Sequence, residues 1–100
     1  MVELGQIIEQ MLRQRKMWRR YQQCLIIEEW DEIVGKEIAA VARAWYVQRN
    51  VLRVLVRDST WAYHLTLLKP QLIEKLNRHV GEDLVRDIFF QVGWDEKKGP

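Results

Sequence analysis

A chain of 100 residues, 48% of them hydrophobic and five of them tryptophan, is long enough for one domain with its own core, and its single cysteine, Cys24, excludes an internal disulfide. No apolar run approaches the roughly 18 residues that span a bilayer. The start, MVELGQIIEQ, lacks the basic lead and apolar run of a secretory signal, so the expectation is a cytoplasmic protein with no membrane partner.

The net charge of +2 singles out no partner, but its distribution is uneven. Residues 13–20, RQRKMWRR, hold five bases and no acid, whereas residues 28–37, EEWDEIVGKE, hold five acids and one lysine. In chain order, Leu4, Ile7, Ile8, Met11 and Leu12 form an apolar stripe that predicts a first helix over Val2 to Lys16. A second helical pattern runs from Trp18 to Val34, with Trp18, Tyr21, Leu25, Trp30, Ile33 and Val34 as candidate buried residues and Gly35 as its stop. Ile38 to Val41 adds a short turn.

Val41 to Gln48 has strand composition, and Arg49-Asn50 makes a two-residue hairpin link in which Asn50 adopts positive φ. In that register Gln48 pairs with Val51 and Val47 with Leu52, Trp45 joins Val54 on the core face, and Tyr46 lies beside Arg53 on the other. A three-residue loop would shift the register and reverse the faces of the first strand. From Val51 the residues alternate, Leu52, Val54 and Val56 on one face and Arg53, Leu55 and Arg57 on the other, the period of a half-buried strand.

Asp58, Ser59 and Thr60 can each cap a helix, and Trp61, Leu65, Leu68, Leu72, Leu76 and Val80 recur at helical steps up to a stop at Gly81. Pro70 lacks an amide hydrogen and crowds the carbonyl four residues back, which predicts a kink or restart near Lys69. Trp61, on the first turn, reads as a buried anchor between helix and sheet in preference to a base-stacking ring. Leu84 to Gly93 makes a third strand, with Ile88, Phe90 and Val92 facing the core and Phe89 and Gln91 opposite, ahead of a polar tail at 94–100. The order is α-α-β-β-α-β: one α+β domain over residues 1–100, a small three-stranded sheet with helices packed on one face.

No catalytic constellation emerges. His64 and His79 match no metal spacing, Cys24 has no ligand neighbour, Ser59 lacks the glycines of a nucleophile elbow, and no glycine loop could cradle a phosphate, so the expectation is no catalytic residue, no metal and no cofactor. Binding is better supported. Arg13, Arg15, Lys16, Arg19 and Arg20, interleaved with Trp18 and Tyr21, combine charge for phosphates with flat rings for bases; the alternative is a solvated helix face, since Trp18 and Tyr21 are also spaced like core residues. A second candidate is the outer sheet face, Tyr46, Arg53, Leu55, Arg57, Phe89 and Gln91, which resembles the stacking platform of small RNA-binding folds; if the first helix covered it, Leu55 and Phe89 would be ordinary core. Glu28, Glu29, Asp31 and Glu32 form an acidic cluster, read as a solvated or partner-facing patch rather than a cation site.

The run Trp30-x-x-Ile33-Val34-Gly35, then Ile38-Ala39, Val51-Leu52-x-Val54-x-Val56, Ser59-x-Trp61-Ala62, Leu65, Leu68, Leu72, Leu76-Asn77 and Gly81 resembles the DciA family over about residues 22–93. These are bacterial proteins that act on the replicative DNA helicase at initiation. The resemblance implies a KH-like domain that binds that helicase and helps place it on single-stranded DNA, with no catalytic residues. It casts Trp30, Gly35 and Trp61 as residues that fix two corners of the fold, and assigns no helicase contact. Arg49-Asn50 departs from the family, where a glycine is common. Many relatives carry a basic extension outside the domain; this chain runs seven residues past Gly93, so its own affinity for single-stranded DNA is expected to be weak. The competing reading, from the basic and aromatic surface alone, is a KH-like RNA-binding module.

Overall fold

The computed structural model describes residues 3–93, without the side chains of Met11 and Leu12; the predicted helix start at Val2 and the tail at 94–100 lie outside the described residues. Four helices precede the sheet: α1 (Leu4–Arg13), α2 (Arg15–Glu28), α3 (Trp30–Val34) and α4 (Lys36–Ala39). The strands β1 (Ala42–Gln48) and β2 (Val51–Val56) follow, then α5 (Ser59–Leu67), α6 (Lys69–Val80) and β3 (Asp87–Val92). The sheet order is β1-β2-β3, with β1–β2 antiparallel and β2–β3 parallel. This is the expected α+β layer, with α5 and α6 serving as the crossover that a parallel strand pair requires.

The breaks follow local chemistry. Gln14 takes an extended conformation between α1 and α2, so the first helix ends at Arg13, short of the expected Lys16. Gly35, at φ +92, ends α3, a conformation an L side chain adopts only with strain. Asp58 caps α5 by accepting a bond from the Trp61 amide at 2.9 Å. Leu68 separates α5 from α6 and Pro70 lies in the first turn of α6, the predicted restart. Gly81, at φ +78, closes α6 with its amide bonded to the Asn77 carbonyl.

Arg49 and Asn50 both have positive φ, the geometry of a two-residue turn whose twist suits a hairpin. The pairs Gln48↔Val51, Val47↔Leu52 and Tyr46↔Arg53 match the expected register. Beyond Tyr46 the expectation fails. A bulge leaves Trp45 without a cross-strand partner, sets Ala44 opposite Val54 and leaves the indole 48% exposed. Uninterrupted alternation would have driven Arg43 into the core. The extra residue turns Arg43 outward and puts Ala42 and Ala44 inside, where Trp30 donates its indole N–H to the Ala42 carbonyl at 2.9 Å.

The core lies on one face of the sheet: Leu52, Val54, Val56 and Ile88 beneath Ile26, Trp30, Val34, Leu65, Leu72 and Leu76. On α2 the buried residues are Gln22 and Ile26, with Tyr21 exposed and Trp18 and Leu25 half-buried, so the stripe runs in steps of four instead of the phase the sequence suggested. Trp61 is half-buried against the core rather than enclosed. Val92, expected inside, is 50% exposed, because the core ends with Ile88 and the partly buried Phe90. Asn77 ties down the loop before β3: its Oδ1 accepts from the Leu84 and Val85 amides and its Nδ2 donates to the Val85 carbonyl and to Asp83. Asn50 holds the same loop from the hairpin side through Nδ2 to the Leu84 carbonyl at 2.7 Å.

Candidate nucleic-acid interface

The residues singled out for nucleic acid fall on two separate surfaces. Arg13, Arg15, Lys16, Arg19 and Arg20 are all exposed along the end of α1 and the first turns of α2. There α1 adjoins α2, and all its described side chains, the apolar Leu4, Ile7 and Ile8 among them, are exposed. Arg13 is engaged with Glu9 one turn back at 2.8 Å. Lys16, Met17, Arg19 and Arg20 line one groove with Gln14 and Gln23, where the flexible thioether of Met17 lies among three cations. Trp18 and Tyr21 stack on each other with ring centroids 5.6 Å apart.

On the other side of Arg19 lies a second cleft of about 350 Å³, lined by Arg15, Trp18, Arg19, Gln22 and Glu82. The Trp18 indole N–H donates to the Glu82 carboxylate at 3.3 Å and so joins the two walls, α2 and the loop after α6. Gln22 is only 2% exposed; its Nε2 donates to the Val80 carbonyl at 3.4 Å, while its Oε1 is buried with no hydrogen-bond partner. Sequence reasoning missed Gln22 and Glu82. The only signal was the four-residue step from Trp18 through Gln22 to Ile26 and Trp30, which the polar Gln22 interrupts.

Tyr46, Arg53 and Arg57 belong to the second surface, the outer face of the sheet. In register, Arg53 sits between Tyr46 and Phe89, and Leu55 between Arg43 and Gln91. The Arg53 guanidinium lies over the Phe89 ring, 4.6 Å from its centroid, and Trp45 meets Tyr46 edge-on at 5.0 Å. Phe89 is 48% exposed and every described side chain of α1 is exposed too, so the first helix does not cover this face. Leu55 is nonetheless only 8% exposed, as the stems of long neighbouring side chains shield an apolar residue between them. Arg57 lies exposed just past the end of β2.

The acidic cluster is not one patch. Glu28, Asp31 and Glu32 are exposed, whereas Glu29 is half-buried, bridges α2 and α3, and places Oε1 3.5 Å from His79 Nε2. Glu32 shares a shallow cleft with Lys75, Arg78 and His79 of α6, so part of its charge faces cations of the same chain. Elsewhere, Lys69 bonds Asp87 at 3.0 Å, and that contact, helped by the Ile88 amide, holds the Asp87 carboxyl below the usual carboxylate range. Among the described residues no group of three or more His, Cys, Asp or Glu side chains could hold a metal ion, and no helix is long and apolar enough to cross a membrane.

The family model described as "Dna[CI] antecedent, DciA" matches residues 3–90. A UPF0232 protein of Mycobacterium tuberculosis is 29% identical over 85 residues, covering 85% of this chain and 46% of the relative. One from Rhodococcus jostii is 24% identical over 84 residues, covering 84% and 45%. One from Streptomyces avermitilis is 35% identical over 63 residues, covering 61% and 35%. The chain thus spans about half the length, or less, of the curated relatives it matches.

Proposed function

The chain belongs to the DciA family, and on that premise we propose that it binds the replicative DNA helicase and promotes the helicase's loading on single-stranded DNA. The observation that carries this reading is the family match across residues 3–90, which takes in the basic α1–α2 segment as well as the sheet. The charge layout supports it. Five exposed cations lie around the start of α2, from Arg13 to Arg20, and the exposed Glu28, Asp31 and Glu32 lie at or beyond its other end, with Glu28 about 12 Å along the axis from Arg20 and about 20 Å from Arg15 at 1.5 Å per residue. Opposite charges so separated orient a docking protein and raise its on-rate more than they add affinity. The basic end takes the DNA, weakly, and the acidic end takes the helicase.

A loader shifts the helicase toward a DNA-competent ring only by the difference in its affinity for the two states. No nucleotide hydrolysis is asked of this chain. The RNA-binding alternative loses ground on one point: KH modules clamp the nucleic-acid backbone with a G-x-x-G loop. The chain has no such sequence, and the junction of α5 and α6 reads Leu67-Leu68-Lys69-Pro70.

The test is a helicase assay on a forked DNA, with the cognate helicase limiting. The proposal expects faster loading and earlier unwinding when the chain is added. Unwinding unchanged over a hundredfold range of chain concentration would refute it.

A further inference from the structure

The sheet has an unguarded edge along β3. In the parallel ladder Asp87 donates its amide to the Asn50 carbonyl and Gly93 to the Val56 carbonyl, so Asp87, Phe89, Gln91 and Gly93 turn their backbone groups toward β2. Ile88, Phe90 and Val92 turn theirs the other way, where β3 has no further strand beside it. There Asp87 Oδ1 accepts the Ile88 amide at 2.8 Å, and among the described residues no hydrogen bond meets the outward groups of Phe90 or Val92. Edge strands are ordinarily guarded by lysine, proline or a bulge. β1, the other edge, has its bulge at Trp45; β3 has none of these devices from Ile88 to Val92. The helix that rests mainly on β3 is as bare: α5 carries no Asp, Glu, Lys or Arg from Ser59 to Leu68, and its Tyr63 and Leu67 are exposed. A helix of that composition is ordinarily buried all round.

We infer that β3 is the contact of a homodimer, pairing antiparallel with β3 of a second copy about a two-fold axis at Phe90. The outward groups sit on alternate residues, so a copy turned end for end sets Phe90 opposite Phe90 and Ile88 opposite Val92. Each such pair exchanges both backbone bonds, and the Ile88 amide leaves Asp87 for the Val92 carbonyl of the second copy. The side chains match in kind: Ile88 with Val92 and Phe90 with Phe90 on the core face, Phe89 with Gln91 on the outer face. Charge fits as well. Asp87 is the one charged residue of β3; Lys69 of the same chain balances it at 3.0 Å, and it falls opposite Gly93, so no like charges meet. The two-fold sets both copies of α5 on the same face of the joined sheet, uncharged helix beside uncharged helix. Six strand residues and part of a nine-residue helix fall short of the roughly 20–30 residues per side of a stable interface, so the dimer forms at high concentration and dissociates on dilution. The inference is independent of the helicase reading.

The experiment is sedimentation equilibrium of the full chain from about 10 μM to about 1 mM, the range of a weak complex, with amide exchange followed by 15N NMR at both ends. The expected result is a reversible dimer in which the Ile88, Phe90 and Val92 amides exchange more slowly at high concentration. The Phe89 and Gln91 amides, already bonded to β2, change far less. Val92→Pro removes an outward amide and no bond within the fold, and Val92→Lys puts a guarding charge on a half-exposed site. The proline variant should weaken the dimer roughly tenfold or more, since its bond is lost in both copies. The lysine variant should weaken it too, with the parent's denaturation midpoint kept. A chain that stays monomeric throughout, or a dimer in which these three amides exchange no more slowly, would overturn the inference. So would protection of the same amides that appears only when the helicase is added, which would give the edge to a foreign strand.

Discussion

Asn77→Ala is the substitution from which most can be learned about how this fold holds its site. Asn77 makes four side-chain hydrogen bonds: to the Leu84 amide at 3.1 Å, the Val85 amide at 2.8 Å, the Val85 carbonyl at 2.8 Å and Asp83 at 3.2 Å. Leu84 and Val85 are buried, so three backbone groups lose their partner together. An unsatisfied buried donor or acceptor costs about 1–3 kcal/mol, and Asn77 is half-buried, so water recovers part; the expected loss is about 3 kcal/mol. Against the roughly 5–15 kcal/mol that stabilise a small domain, this is a large share. Asn77→Asp keeps an acceptor for both amides but sets a carboxylate against Asp83 and the Val85 carbonyl in place of a donor, so it should not restore the parent's stability at neutral pH. The assay is urea denaturation with amide exchange at Leu84 and Val85, whose protection should fall in the Ala variant before that of Leu52 or Val54. The loop that Asn77 pins also carries Glu82, so the Trp18–Glu82 bond should weaken with it. An Ala variant with the parent's denaturation midpoint would refute the claim that Asn77 organises this loop.

Trp61 is half-buried, so Trp61→Ala should cost about 2 kcal/mol by thermal denaturation, below the roughly 3–5 kcal/mol of an enclosed aromatic; an unchanged melting curve would show that it anchors nothing. Replacing Arg15, Lys16 and Arg19 by Gln should flatten the salt dependence of single-strand binding from a log–log slope near −2, about −0.7 for each of some three phosphates, toward zero. An unchanged slope would move the contact to Arg53 and the sheet face. Asp87 has its carboxyl depressed by Lys69, so its contribution to stability is present above the ordinary carboxylate range and is lost as pH falls through the folded-state value. Lys69→Met should therefore reduce the acid sensitivity of folding, by less than about 1 kcal/mol because the pair is partly exposed.

The strand–turn–helix frame was legible because each of its signals has one physical meaning. Arg49-Asn50 between alternating residues meant a hairpin, Asp58 before Trp61 meant a cap, Pro70 meant a restart, and Gly35 and Gly81 meant stops. What escaped was where local pattern gives way to tertiary need. Trp45 reads as core in any alternating pattern, and only the need to keep Arg43 out of the core, with Trp30 resting on Ala42, explains the bulge. Gln22 breaks the apolar stripe of α2 by type while keeping its place in space, so the buried face was taken to run through Tyr21 and Leu25. The basic run was visible as composition. Its partner Glu82 was not, since Trp18 and Glu82 lie 64 positions apart and no local period joins them.

The central claim is a physical complex with the helicase. Its most direct test is to titrate the chain into the purified cognate replicative helicase at low and at physiological salt, and to follow the complex by analytical ultracentrifugation. The account predicts a saturable complex that forms at micromolar concentration and weakens with salt as the charged ends of α2 are screened. Replacing Glu28, Asp31 and Glu32 by Gln should weaken it further. No complex at low salt, alongside tight binding of the chain to structured RNA, would contradict the account and favour the RNA-binding module.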